Sequence, residues 1–139
     1  MSWTAERYHD ISVGHRVHGH ESKCAHLHGH NYRIHFVCEA EDLDLVGRVI
    51  DFSEIKTRLC MWLEDHWDHR FLVSCGDPWK TALAGVDPTV VVVQFNPTAE
   101  NIAEHLVKVV GPEQLRGTGI KLVSVRVEET RKCSATYKA

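Results

Sequence analysis

At 139 residues, with 43% hydrophobic and 25% charged residues, the chain has the size and make-up of one soluble domain, residues 1–139, with a substantial core. Its net charge of −3 excludes a broad nucleic-acid-binding surface, and no apolar run is long enough to span a bilayer. Five cysteines without a CxxC pair, behind an opening stretch with no signal-peptide core, lead us to expect reduced thiols in a cytoplasmic protein.

Residues 7–17 read as a strand in which Ile11, Val13, His15 and Val17 share one parity, so alternation puts His15 on the apolar face. The polar stretch 19–23 is a loop. A second strand follows over 30–40, with His30, Tyr32, Ile34, Phe36 and Cys38 on one face and His28 projecting the same way two residues earlier. Pairing the two strands antiparallel would bring His15 beside His28 and His30. Asp51 then opens a helix as N-cap with Glu54 three residues on. Ile55, Leu59, Trp62, Leu63 and His66 form its stripe, and it ends near Trp67. Residues 72–96 are punctuated by Gly76, Pro78, Gly85 and Pro88, with one β-branched run, VVVVQF, read as a strand. Asn96 or Thr98 caps a second helix striped by Ile102, Leu106, Val109 and Val110, which Gly111-Pro112 is expected to stop. A strand over 120–129 has Val123, Val125 and Val127 on one face. Glu129 continues that apolar row, where a carboxylate needs partners, whereas Glu128 reads as solvated. A last strand runs from Cys133 to Tyr137. The expected fold class is α+β, an antiparallel sheet with two helices on one face and the chain order ββα(β)αββ.

Six of the eleven histidines fall between His15 and His30, and Cys24 lies among them. His15, His28 and His30 would give three nitrogen donors and leave a fourth tetrahedral position open, the pattern of a catalytic rather than a structural zinc site. His18, His20 and His26 read as loop residues.

The run Cys24-Ala25-His26-Leu27-His28-Gly29-His30-Asn31-Tyr32 is a C-x-x-x-H-G-H-N-Y motif, which resembles the zinc-binding signature of the 6-pyruvoyl- and 6-carboxy-tetrahydropterin synthase superfamily. VGHRV around His15, VIDFSEIK (49–56), WDHRFL (67–72), NPTAEN (96–101) and VEET (127–130) match further family segments in order, so the resemblance spans nearly the whole chain. The short gap between Cys24 and HGH is similar to that of the carboxy-tetrahydropterin enzymes of the queuosine pathway. Trp67 stands where Leu is common, and the 72–96 segment is longer than in compact members.

The resemblance implies the tunnelling fold and one zinc per chain on His15, His28 and His30. It also implies a homo-oligomer, expected to be a hexamer, with active sites between subunits. The implied substrate is 7,8-dihydroneopterin triphosphate. Cys24 would be the base; a free thiol has a pKa of about 8.5 and needs activation to serve. Asp68 and His69 would relay protons, favoured over the earlier pair Asp65-His66, and Glu129 would support them. Thr98 and Glu100 would bind the pterin, a carboxylate suiting its paired N–H donors. Arg16, Lys23, Arg70 and Lys132 are candidate triphosphate contacts. The competing readings are pyruvoyl-tetrahydropterin formation or aldol cleavage on the same fold, and a non-catalytic histidine-rich metal-binding protein.

Overall fold

The computed structural model describes residues 1–139. Two long strands, β1 (Trp3–His15) and β2 (His28–Ala40), pair antiparallel along their whole length and form the spine of a six-stranded sheet. β3 (Arg70–Ser74) adds to the end of β1, and β4 (Val91–Val93) adds to β3. On the other side β5 (Lys121–Thr130) pairs with β2 and β6 (Cys133–Lys138) with β5, giving the order β4-β3-β1-β2-β5-β6.

The sheet is mixed rather than antiparallel as expected, because β1 with β3 and β3 with β4 run parallel. Three residues of β1, Val13–His15, supply the β3 pairing, too short a register for sequence periodicity to show. The chain order is therefore ββαβαβαββ, with a helix, Lys80–Val86, between β3 and β4 that the sequence reading did not include.

Alternation decides which face is covered. Ile11 and Val13 of β1, Tyr32, Ile34, Phe36 and Cys38 of β2, and Val125 and Val127 of β5 are buried on one side. Two helices lie over them. The first, α1, runs through Phe52–Ile55, a wide π turn at Lys56–Cys60, and Met61–His66. Lys80–Val86 is α2. The third, α3, runs through Ala99–His105, a second wide turn at Leu106–Val110, and Gly111–Gln114. Ile55, Leu59 and Leu63 from α1 and Ile102, Leu106 and Val110 from α3 complete the core. Each of these buried aliphatic side chains contributes on the order of 2 kcal/mol.

Both helix starts are capped. Asp51 accepts from the Ser53 amide, and the Thr98 hydroxyl accepts from the Asn101 amide. Glu54 does not close a capping box; its carboxylate pairs with Arg58 one turn on, at 2.8 Å. Gly111-Pro112 does not end α3. In the wide turn the Gly111 amide reaches back five residues to Leu106, and Pro112, which has no N–H to place, follows directly. Gly111 is required by close approach, since a Cβ there would lie 2.8 Å from Leu122 of β5.

Candidate metal centre

The β1–β2 register sets His15 directly opposite His28 and Val13 opposite His30, so three imidazoles meet on the covered face at the end of the spine. Their ring centroids are 4.5 Å (His15–His28), 5.2 Å (His15–His30) and 5.0 Å (His28–His30) apart. One nitrogen from each lies within 4.8 Å of the other two.

Main-chain carbonyls orient two of the rings. His15 Nδ1 donates to the Pro97 carbonyl at 2.7 Å, and His28 Nδ1 donates to the His26 carbonyl at 2.8 Å. A carbonyl oxygen can only accept, so the proton sits on Nδ1 and Nε2 keeps its lone pair. His30 Nε2 is buried and has no hydrogen-bond partner. Burial pushes His15 from 6.5 down to about 4, and it lowers His30 as well against the opposing pull of the Glu129 charge. Neutral imidazoles are the form that binds metal. A buried nitrogen without a partner is costly unless something coordinates it, so this donor set fits a divalent ion with a fourth position left open.

Glu129 reaches the same point from β5. The β5–β6 register shifts between Glu128 and Thr130, and this bulge leaves Glu129 out of the ladder. Its Oε1 lies 3.6 Å from His15 Nε2 and 3.8 Å from His30 Nε2. The Tyr32 hydroxyl is 3.1 Å from His15 Nε2, and burial, then the Glu129 charge, raise that phenol well above its usual range. Tyr32 was not among the predicted site residues, although its parity with His28 and His30 marked it for the same face. Glu128 points to the opposite side of the sheet and is not solvated as expected: it pairs with His35 at 2.7 Å.

The other predicted residues make no hydrogen bond or ion pair with the triad in this chain. Asp68 and His69 join each other at 2.8 Å, just beyond α1. Asp68 also accepts from the Ser12 amide at 2.9 Å, and His69 donates its own amide to the Ser12 carbonyl at 2.7 Å. Those bonds hold His69 at a φ of 60°, a conformation that costs about 1 kcal/mol for a residue with a Cβ. The His69 side chain is 79% exposed and lines a groove of about 460 Å³ with His30, Asn31, Arg70 and Asp87. Thr98 caps α3, and exposed Glu100 lies in its first turn. Cys24 is half-buried on a short turn, Lys23–Ala25, between β1 and β2. The Cys38 and Cys60 thiols are pushed up by burial to about 12 and about 11, which suits an inert packing role. Cys75 and Cys133 are exposed rather than packed.

Two residues of the site region differ from expectation. Asn96 does not cap α3; its side chain grips the main chain of His18, accepting from the amide at 3.1 Å and donating to the carbonyl at 2.9 Å. Arg16 is not free to meet a phosphate, being buried against Asp77 at 2.6 Å.

The sequence profile of the 6-pyruvoyl tetrahydropterin synthase family matches residues 4–139. The chain belongs to this family. Among curated relatives, the 6-carboxy-5,6,7,8-tetrahydropterin synthase of Rickettsia bellii is 32% identical over 126 residues, covering 89% of this chain and 91% of that one. A probable 6-carboxy-5,6,7,8-tetrahydropterin synthase of Halobacterium salinarum is 40% identical over 92 residues, or 65% of this chain and 57% of that one. Among solved structures, an uncharacterized protein of Wolinella succinogenes superposes with a TM-score of 0.87 at 23% identity, covering 99% of this chain and 98% of that one. The 6-pyruvoyl tetrahydropterin synthase of Caenorhabditis elegans gives 0.72 at 26% identity, covering 100% and 96%. The fold is the α+β tunnelling fold, and the chain is an enzyme of the 6-pyruvoyl tetrahydropterin synthase family. No helix is long and apolar enough to cross a membrane.

Proposed function

We propose that the chain is a zinc-dependent carbon–carbon lyase. It converts 7,8-dihydroneopterin triphosphate and water to 6-carboxy-5,6,7,8-tetrahydropterin, acetaldehyde and triphosphate, as a step toward queuosine and related 7-deazapurines. The observation that carries this reading is the convergence of three neutral imidazoles, one with an unpartnered buried nitrogen, in a chain about a third identical to relatives bearing that name.

His15, His28 and His30 hold one zinc per chain, which when bound supplies Lewis acidity toward the side-chain hydroxyls of the substrate. Cys24 acts as the base that takes a proton from that side chain. Asp68 orients His69, and the exposed ring of His69 passes protons on. Glu129 sits where it accepts a hydrogen bond from the bound hydroxyls. Glu100, beside Thr98, accepts the paired N–H groups of the guanidine-like pterin edge. His69 and Glu100 are exposed and do not touch the triad within one chain, which supports a site completed between subunits of a homohexamer, working in the cytoplasm.

The Caenorhabditis elegans neighbour favours a second reading, formation of the pyruvoyl product on the same scaffold. Incubation of the zinc-loaded protein with dihydroneopterin triphosphate, followed by mass analysis, separates the two. Acetaldehyde with the 6-carboxy product supports the first reading. The 6-pyruvoyl product without acetaldehyde supports the second. Turnover of neither kind, with zinc bound, overturns both.

A further inference from the structure

The residue after the metal-site histidine His15 is a buried arginine whose bonds all run to other segments. Arg16 Nε donates to Asp77 Oδ2 at 2.6 Å, and the guanidinium lies flat against the Trp79 ring at 3.6 Å from its centroid. Asp77 is almost wholly buried. Its other oxygen accepts from the Trp79 amide at 2.8 Å, and its own amide donates to the Ser74 carbonyl at the end of β3. The β3–α2 connection is therefore folded around the arginine. It belongs to the 72–96 stretch, which is longer than in compact members of the family and to which the proposed chemistry gives no role.

The remaining donors of Arg16 point into the β1–β2 loop. Nη1 donates to the Ala25 carbonyl at 3.1 Å, and Nη2 lies 3.4 Å from His18 Nδ1. One residue on, the Val17 amide donates to the Cys24 carbonyl at 2.7 Å. Arg16 and Val17 thus fasten the two peptide groups on either side of the Cys24–Ala25 bond. A buried ion pair adds little net stability over an apolar pair of like volume. What it supplies here is direction: a guanidinium gripped by carboxylate and indole has its last donors fixed on one carbonyl.

We propose that Asp77 and Trp79 are positioning residues, which hold the Arg16 guanidinium so that it fixes the Lys23–Ala25 turn and with it the presentation of Cys24. Reading that presentation as catalytic rests on the function proposed above; the clamp itself does not.

The test uses the full-length zinc-loaded protein and three variants, Asp77→Asn, Trp79→Leu and the double variant Arg16→Met/Asp77→Leu. Trp79 is 45% exposed, so Trp79→Leu keeps the fold even if Asp77→Asn does not. For each, the rate of Cys24 alkylation by iodoacetamide is read peptide by peptide against exposed Cys133, together with zinc content, Tm, kcat and KM. Loosening the turn is expected to raise Cys24 alkylation severalfold in all three. It is expected to lower kcat by roughly tenfold to a hundredfold, as a small misplacement of a reacting group does, with KM little changed. The apolar double variant is expected to regain wild-type Tm without regaining kcat or the slow alkylation. Recovery of all three in the double variant would make the pair a packing element and overturn the proposal, as would unchanged Cys24 alkylation in folded Trp79→Leu. If wild-type protein does not turn over the triphosphate, the proposed reaction fails, and the alkylation rates still decide the clamp.

Discussion

His30 and His35 lie five residues apart on the same strand and face opposite sides of the sheet, and they have been solved in opposite ways. On the open face every nitrogen of His35 has a partner. Nε2 donates to Glu128 at 2.7 Å, and Nδ1 accepts from Arg126 at 3.3 Å with Glu6 3.5 Å away. On the covered face His30 Nε2 has none, and the nearest carboxylate oxygen stands off at 3.8 Å. Two histidines of similar depth therefore differ in what completes them. His35 is finished by the chain itself, whereas the triad is left with lone pairs turned inward. The unfilled nitrogen, rather than the density of histidines, marks the metal centre.

The contrast breaks first on metal. Replacing His28 or His30 by Ala is expected to take zinc from one per chain to near none by atomic emission. Turnover should fall by on the order of a thousandfold or more, since catalysis here depends on the bound Lewis acid. His35→Ala should leave zinc content unchanged; loss of zinc there would end the distinction. Chelation should act on the folded state as a whole. Zinc held at a thousand times its Kd stabilises by about 4 kcal/mol, so the stripped protein should melt at a lower temperature by calorimetry.

A smaller effect is expected from acid on the metal-free protein. His15 titrates near 6.5 when unfolded and at about 4 when folded, because burial disfavours its charged form. The unfolded chain therefore takes up the proton first. Stability is full above pH 6.5 and falls as pH drops from there toward 4, by about 3 kcal/mol at most from this group. Denaturant titrations across that range should show the slope, and zinc should flatten its upper part. Smallest is the open face. Glu128 is held below the usual carboxylate range chiefly by its hydrogen bond from His35. Glu128→Gln should cost about 1 kcal/mol by denaturant melting and leave zinc content and turnover unchanged.

Much of this contrast was readable from residue spacing. Parity put His15 with Ile11 and Val13, His28 and His30 with Tyr32 and Phe36, and Glu129 with Val125 and Val127, because a two-residue period survives any detail of the turns between strands. The Asp51 and Thr98 caps were visible for a similar reason, as local chemistry needs no partner from afar. What stayed hidden depends on distant segments. Arg70–Ser74 becomes a strand by joining the last residues of β1, and Asp77 becomes a buried ion only because Arg16 is there to meet it. Asn96 looked like a cap, and a backbone grip on His18 from 78 residues away has no signature in the sequence. Pro112 looked like a stop because the rule assumes a regular helix, which α3 is not.

The wide turn at Lys56–Cys60 has a consequence for Asp68 and His69. Each residue of a regular helix advances the chain by about 100° around its axis, and a wide turn absorbs one residue beyond that count. Deleting one residue between Lys56 and Cys60 would let α1 close to ordinary pitch. The capped N-terminal turn at Asp51 and the packing of Ile55 would stay, while everything from Met61 onward would swing by about 100°. Asp68 would then lose the Ser12 amide that now fixes it at 2.9 Å, and His69 would lose the strand that holds its φ at 60°. Five residues without reactive groups near the triad thus act as a phase adjustment between the two halves of one helix.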